Sequence, residues 1–349
     1  MGVRLEDYKH KVYVTPSGGL CKWGGMGYVG CQGDCRVWVS GDVWDRAATY
    51  AHELGHNLYL NHAGAKGDGG YGDFSAAMGY CCDVRCYNPP HLWQMGWATA
   101  VAPALTWQTF PAGTWARHAL PAQITTSRNY LRVRPDWAGR AEAVAGAVVG
   151  PAAAAVEGKG AAAAAAAVEG AAPASAAAAA PAAAPAETAA AVGAAQYNLY
   201  FSYRKRLGYD AGMSVSRGFA DKVSVYSTRA GDPQPFTSHE GAIAEGATWR
   251  ETRLGSGLVV AFETAEGNAA SVALCRPTPG QEARESDCAD GLDNDCDGLA
   301  DGQDAGDCGG AGGAGAPGPG PGPAPSPAAG GQRRAGEGGG GGQQPFSWW

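Results

Sequence analysis

His52-Glu53-Leu54-Gly55-His56-Asn57-Leu58-Tyr59-Leu60-Asn61-His62 sets three imidazoles and one carboxylate at spacings that suit a catalytic zinc ion. On a helix, His at i and i+4 share one face, and the Glu between them stands close enough to activate a water. His62, ten residues after His52, offers a third nitrogen. No glutamate follows Glu53 until Glu142, so a site completed by a Glu from the next helix has no candidate at ordinary distance. The expected centre is His52, His56 and His62 as neutral imidazole ligands at about 2.0–2.1 Å from the ion, with a fourth position open. Copper stays open as the ion, because imidazole sites favour Cu2+ thermodynamically.

Downstream, Ser75-Ala76-Ala77-Met78-Gly79-Tyr80 puts Met78 sixteen residues past His62. This stretch resembles the Met-turn of metzincin proteases, a tight turn whose Met packs beneath the metal. The flanks Ala51 to Gly64, Met78 to Cys82, Cys86-Tyr87-Asn88 and His91-Leu92-Trp93-Gln94-Met95-Gly96-Trp97 together resemble the gametolysin family, peptidase family M11. The likeness covers roughly Tyr8 to Trp137 and, more weakly, Gln196 to Cys275. It implies a secreted zinc endopeptidase that digests cell-wall and extracellular-matrix glycoproteins. Glu53 then takes the proton of the attacking water and passes it to the leaving amine. Tyr80, two residues after Met78, matches the position of a tyrosine that, by the resemblance, approaches the metal and donates to the oxyanion; a structural tyrosine is the other reading of this position. A departure occurs at Tyr59, where HExxHxxGxxH expects glycine. That glycine adopts positive φ, which costs another residue about 1 kcal/mol or more; either Tyr59 bears the strain or the helix ends differently.

Composition excludes several other classes. The net charge of −7 is local: Glu285 to Asp307 holds nine carboxylates and no Lys or Arg, and the remainder is nearly neutral. No basic stripe with interleaved aromatics supports nucleic-acid binding, and no apolar run has the character of a membrane span. Ten cysteines cluster at Cys21/Cys31/Cys35, Cys81/Cys82/Cys86 and Cys275/Cys288/Cys296/Cys308. The pattern fits disulfides in an oxidising, extracellular setting better than a Cys-based structural zinc, since paired CxxC knuckles are missing. Met1 to Thr15 contains no apolar signal region, and about fifty residues precede His52. A metzincin lays down several strands and a helix before its active-site helix, so the expectation is a chain that starts late.

The expected fold class is α+β: a metzincin-like zinc protease region, N-terminally incomplete, followed by an antiparallel β-domain. Residues 1–98 form the catalytic region and 99–137 plus 196–276 the β-rich domain. Residues 138–195 are an alanine-rich insertion and 309–349 a Gly/Pro-rich tail, neither able to build a core. Lys11–Val14 reads as a strand, the Gly-rich Cys21–Cys35 as a loop stapled by disulfides, and Arg36–Val39 as the edge strand along which substrate backbone adds. Asp42 is the expected N-cap of a helix from Val43 to about Leu58, with Val43, Ala47, Tyr50, Leu54 and Leu58 buried. Later strands are expected at Ala104–Phe110, Tyr130–Val133, Asn198–Tyr203, Val223–Tyr226, Leu258–Phe262 and Ser271–Leu274. His91 and His118 lie outside ligand spacing and read as structural or surface residues.

Residues 285–308 carry a second metal signal. Asp293, Asp295, Asp297, Asp301 and Asp304 sit at positions 1, 3, 5, 9 and 12 of a loop with Gly298 at 6, the pattern of a calcium loop closed by Asp instead of Glu. The bland reading is an acidic linker. For the whole chain, the rival to a peptidase is an inactive metzincin relic that binds matrix protein.

Overall fold

The computed structural model describes residues 4–19, 22–80, 85–138, 197–213, 218–281 and 283–308. Nearly all of the expected alanine-rich insertion, the tail, and Cys21, Cys81 and Cys82 lie outside the described residues.

The first layer is a three-stranded sheet made of β1 (His10–Val14), β2 (Gly25–Gly27) and β3 (Cys35–Val39), in the order β1-β3-β2. β1 runs parallel to β3 and β2 antiparallel to it. β3 is therefore the centre of the sheet, not the edge expected for Arg36–Val39. The Gly-rich stretch read as a loop supplies the edge instead, because Gly25 and Gly27 extend against a neighbour that leaves no room for a side chain. Val37 and Val39 bury one face of β3 against Val43, Tyr50 and Leu54.

Tyr50 and Leu54 belong to α1 (Ala47–Asn57), which starts four residues later than expected. Asp42 does not cap it. Its carboxylate accepts the N–H groups of Gly18 and Gly19 at 2.9 and 3.1 Å, which fastens the loop after β1, and Arg46 occupies the N-cap position without a side-chain bond. Ala47 and Leu58, expected to be buried, are exposed.

After α1 come β4 (Ala63–Ala65), α2 (Pro89–Gln94), β5 (Thr99–Ala100), β6 (Trp115–Pro121), β7 (Arg128–Val133), β8 (Tyr197–Arg204), β9 (Lys222–Arg229), β10 (Thr237–Ile243), β11 (Thr248–Arg250), β12 (Val259–Glu266) and β13 (Ala269–Cys275). Ala104–Phe110 is not a strand. Only Leu105 bridges, to Val133, because the Thr109 hydroxyl bonds Ala104 O and Thr106 N–H and turns the chain.

Two sheets are built from these strands, β4-β10-β9-β8-β7-β5 and β11-β12-β13-β6. The alternation of side chains along a strand gives the larger sheet two different faces. Leu131, Val133, Leu199, Phe201, Val223 and Val225 point one way and close on Leu120, Val260, Phe262, Val272 and Leu274 of the smaller sheet. Each such side chain contributes about 1.5–3 kcal/mol on full burial. The other face carries Tyr130, Tyr200 and Tyr226 and packs on Ala98 and Leu92.

Both edges of the larger sheet come from the region before residue 101. β4 pairs in parallel with β10, Ala63 opposite Thr237, and β5 pairs in parallel with β7. Through the β4–β10 pairing this sheet joins residues on both sides of the expected division at 98/99. A buried ion pair ties the same parts together. Arg204 and Asp210 are both fully buried and 3.0 Å apart, and Arg204 also donates to Ser75 O at 2.7 Å and to the Tyr226 hydroxyl at 2.9 Å. Asp210 accepts from Cys86 N–H.

The acidic segment is fixed to the smaller sheet by the Cys275–Cys296 disulfide and closed on itself by Cys288–Cys308. Trp115 Nε1 donates to Asp293 at 2.7 Å, and Asp293 N–H bonds Gly113 O.

Arg204→Met leaves the Asp210 carboxylate buried without its partner, and the expected loss is about 3–5 kcal/mol of unfolding free energy. The Arg204→Met/Asp210→Leu double variant should recover much of it. Urea denaturation of the full chain checks this; a single-variant loss under about 1 kcal/mol contradicts it.

Candidate metal centre

α1 presents His52, Glu53 and His56 on its buried side. The helix ends in a Schellman motif: Tyr59 N–H bonds His56 O at 2.9 Å and Leu60 N–H bonds Gly55 O at 3.1 Å. Tyr59 holds the left-handed position with φ of 67°. Of the two alternatives for Tyr59, the strained one is realised, and two contacts hold it there. Its ring lies where a Cβ on Gly30 would fall, 2.2 Å from a ring carbon. Its carbonyl accepts from the Gln94 amide at 2.9 Å. The reversal returns the chain along α1, so that His62 Nε2 stands 3.1 Å from His56 Nε2.

One nitrogen from each of His52, His56 and His62 falls within 4.8 Å of the other two. The main chain chooses which nitrogen faces inward in the first two. His52 Nδ1 donates to Ala77 O and His56 Nδ1 to Leu60 O, each at 2.9 Å, which leaves the Nε2 lone pairs free. Burial, then the neighbouring His56, pushes His52 down to about 3; burial and His56 bring His62 to about 4; burial lowers His56 as well. The imidazoles are neutral at ordinary pH, the form a metal needs. Three converging neutral nitrogens on a main-chain scaffold fit a borderline ion such as zinc or copper.

Glu53 is buried and pushed up to about 8 by desolvation. β2 lies directly over it: a Cβ on Gly25 would sit 2.4 Å from Glu53 Oε1, and one on Gly27 2.5 Å from Glu53 O. On the opposite side Met78 is fully buried with Leu60, Ala63 and Ala76. A Cβ on Gly55 would lie 2.4 Å from its sulfur, so the glycine inside the motif is what lets the methionine reach the helix. Gly79 is as confined, its Cβ position falling on Asp73 O.

The turn holding Met78 is anchored in the sheet. Asp73 accepts Ser75 N–H and the Ser75 hydroxyl at 2.9 and 2.6 Å, and Ser75 meets the Tyr226 hydroxyl at 2.9 Å. Asn88 donates to Asp73 and to the Thr237 hydroxyl and caps α2 through His91 N–H. His91 is wholly buried, which pushes it down to about 3.

Tyr80 is 36% exposed and its ring packs on Phe74 at 5.2 Å. The phenol beside the histidines is Tyr71, whose ring centroid lies 4.1 Å from that of His62 and 6.0 Å from that of His52. Sequence reading missed it. The available signal was Gly69-Gly70-Tyr71-Gly72, one aromatic among glycines between the third His and the methionine turn.

The acidic segment departs from a single five-ligand calcium loop. Asp293, Asp295 and Asp297 converge, whereas Asp301 converges with Glu285 and Asp290. Asp304 belongs to neither group and accepts Gly306 and Asp307 N–H instead. Asp301 likewise accepts the N–H groups of Asp290 and Gly291. Where helices flank an EF-hand loop, this segment is tied to the smaller sheet by Cys275–Cys296 and closed on itself by Cys288–Cys308.

These centres can be set beside known proteins. The sequence model of the gametolysin peptidase M11 family matches residues 3–148. That stretch carries the whole histidine centre, β2 and the methionine turn. Autolysin of Chlamydomonas reinhardtii is 27% identical over 345 aligned residues, covering 88% of this chain and 46% of that protein. The chain thus spans about half the length of this curated relative. No solved structure matches.

Tyr59 offers a direct test of the reversal. Tyr59→Gly should be more stable than Tyr59→Val by about 2 kcal/mol, because only glycine accepts positive φ without strain. Thermal unfolding of both variants checks the order; at an ordinary helical position glycine would be the less stable.

Proposed function

We propose that this chain is a zinc-dependent endopeptidase of metzincin type, secreted, and acting on cell-wall or extracellular-matrix glycoproteins. The observation that carries the reading is the convergence of three neutral imidazoles beside a buried carboxylate. The substrate class and the compartment rest on the family resemblance, with three disulfides among the described residues in keeping with an oxidising setting.

His52, His56 and His62 would hold the ion. The chemistry zinc supplies in such a site is Lewis acidity toward the scissile carbonyl and toward a water. Glu53, the carboxylate beside the three imidazoles, would in its ionised form accept the water's proton and return it to the leaving amine. Ala77 O and Leu60 O keep two imidazoles in the ligating tautomer.

β2 supplies the means to align a polypeptide. Gly24 O accepts from Ser40 N–H just past β3 and Tyr28 N–H donates to Arg36 O of β3, so the alternation of an antiparallel ladder directs the main-chain groups of Gly25 and Gly27 to the open edge. An extended substrate adding there runs alongside β2, the strand that covers Glu53. A purely matrix-binding role would need neither the neutral imidazoles nor the glycine-lined approach to Glu53, and the peptidase reading uses both.

Glu53→Gln tests the reading. The variant should keep about one zinc per chain and lose about 10²–10⁴-fold in kcat on a denatured protein substrate, because the amide cannot take the proton. Chelation of the wild type should abolish turnover and added zinc restore it. Near wild-type kcat in Glu53→Gln, or turnover indifferent to chelator, would refute it.

Gly25→Ala is a second test. Its added methyl presses on the Glu53 carboxylate, so kcat should fall at least tenfold with zinc content unchanged. Full activity would show that β2 does not set the position of Glu53.

A further inference from the structure

Between β4 and the methionine turn runs Lys66-Gly67-Asp68-Gly69-Gly70-Tyr71-Gly72-Asp73. Its ends are pinned, Lys66 N–H to His239 O and Asp73 N–H to Ala63 O, both at 3.0 Å. Inside, the backbone doubles back on itself and on β4. Gly67 and Gly69 take positive φ of 80° and 49°. A Cβ on Gly72 would lie 2.2 Å from Asp68 O, and one on Gly64 2.4 Å from Gly69 O. Main-chain contacts that exclude any side chain therefore define the path that returns Tyr71 over the histidines.

The three imidazoles are not held alike. His52 and His56 are fixed through Nδ1 by main-chain carbonyls. Among the described residues, the hydrogen bond of the His62 ring is to His56 Nε2, itself a candidate ligand atom. What bears on the His62 ring from outside the triad is aromatic: Tyr71 at 4.1 Å and, more distantly, Phe236 at 6.3 Å. The Tyr71 side chain is half-buried, with its ring also 6.0 Å from that of His52.

We propose that Tyr71 is the fourth functional side chain of this centre: its ring braces His62 in the ligating orientation, and its hydroxyl donates a hydrogen bond to the oxyanion that forms at the scissile carbonyl. This rests on the peptidase reading above. In that hydrolysis the water oxygen bonds to the carbonyl carbon and the C–N bond breaks. The water's proton passes through Glu53 to the amine, while Tyr71 donates a hydrogen bond and retains its own proton. The assignment gives Tyr71 the part that the resemblance implied for Tyr80.

Tyr71→Phe, Tyr71→Ala and Tyr80→Phe, each in the full chain, separate ring from hydroxyl. Tyr71→Phe should retain one zinc per chain, an unchanged visible spectrum of the cobalt(II) form and KM within about threefold, while kcat falls about 10²-fold. Tyr71→Ala should in addition weaken zinc affinity about tenfold or more and alter the cobalt spectrum. Tyr80→Phe should cost less kcat than Tyr71→Phe. The proposal is overturned if Tyr71→Phe turns over like the wild type, if Tyr71→Ala binds zinc and gives the cobalt spectrum of the wild type, or if Tyr80→Phe costs as much as Tyr71→Phe. A wild type that binds no zinc or cleaves no protein overturns the peptidase reading itself, whereas an active wild type with an indifferent Tyr71 removes only the role of Tyr71.

Discussion

One backbone conformation makes the centre possible. Tyr59 ends α1 in the left-handed region, and only from there does a chain of six residues bring His62 back against His56. The strain is about 1–2 kcal/mol for a residue with a Cβ, and neighbouring parts offset it: Gly30 makes room for the ring and Gln94 satisfies the carbonyl. Gly30 N–H also bonds His56 O at 2.7 Å, so the loop before β3 and the end of the helix settle together. The backbone thus carries His62 to the other two imidazoles, and Tyr71 packs on its ring there.

The second constraint is the polar face of the six-stranded sheet. A sheet that packs apolar side chains on one side normally leaves the other to water. Here the other side is covered by α2 and the methionine turn, and the polar groups it carries pair across the boundary. Arg204 and Tyr226 hold Ser75, Ser75 and Asn88 hold Asp73, and Asp73 accepts from Ser75 two residues along. Met78 is thus positioned beneath α1 by a chain of buried hydrogen bonds that starts in β8 and β9. The β-rich part is a support of the metal centre as well as a neighbour to it. Such networks are rigid only when complete, which is why the Arg204–Asp210 pair matters more than its own energy implies.

The histidine centre was legible in the sequence because its chemistry is local. Two of the imidazoles and the carboxylate lie on consecutive turns of one helix, and the third imidazole falls six residues past His56. Strands with long alternating runs, such as β8 and β9, were legible for the same reason. What could not be read was decided at long range. β4 is three small residues with no pattern of their own, and its place in the sheet comes from pairing with β10 some 170 residues later. β2 looked like loop because its glycines, which the approach to Glu53 demands, are also the residues of turns. Asp42 looked like a cap, but the Gly18 and Gly19 amides claimed its carboxylate. Tyr71 was invisible because its meeting with His62 depends on the fold of a glycine-rich loop. In the acidic segment the spacing of carboxylates was informative and the disulfides were not, so one loop was expected where the structure builds two groups.

The central claim is that His52, His56 and His62 hold one ion through nitrogen alone. X-ray absorption at the zinc edge on the full chain loaded with one equivalent measures this directly. Three imidazole nitrogens and one further light-atom ligand, at about 2.0–2.1 Å, are the predicted result, with one imidazole's scattering lost in His62→Ala. A shell containing sulfur at about 2.3 Å, or a spectrum unchanged by that substitution, would contradict it.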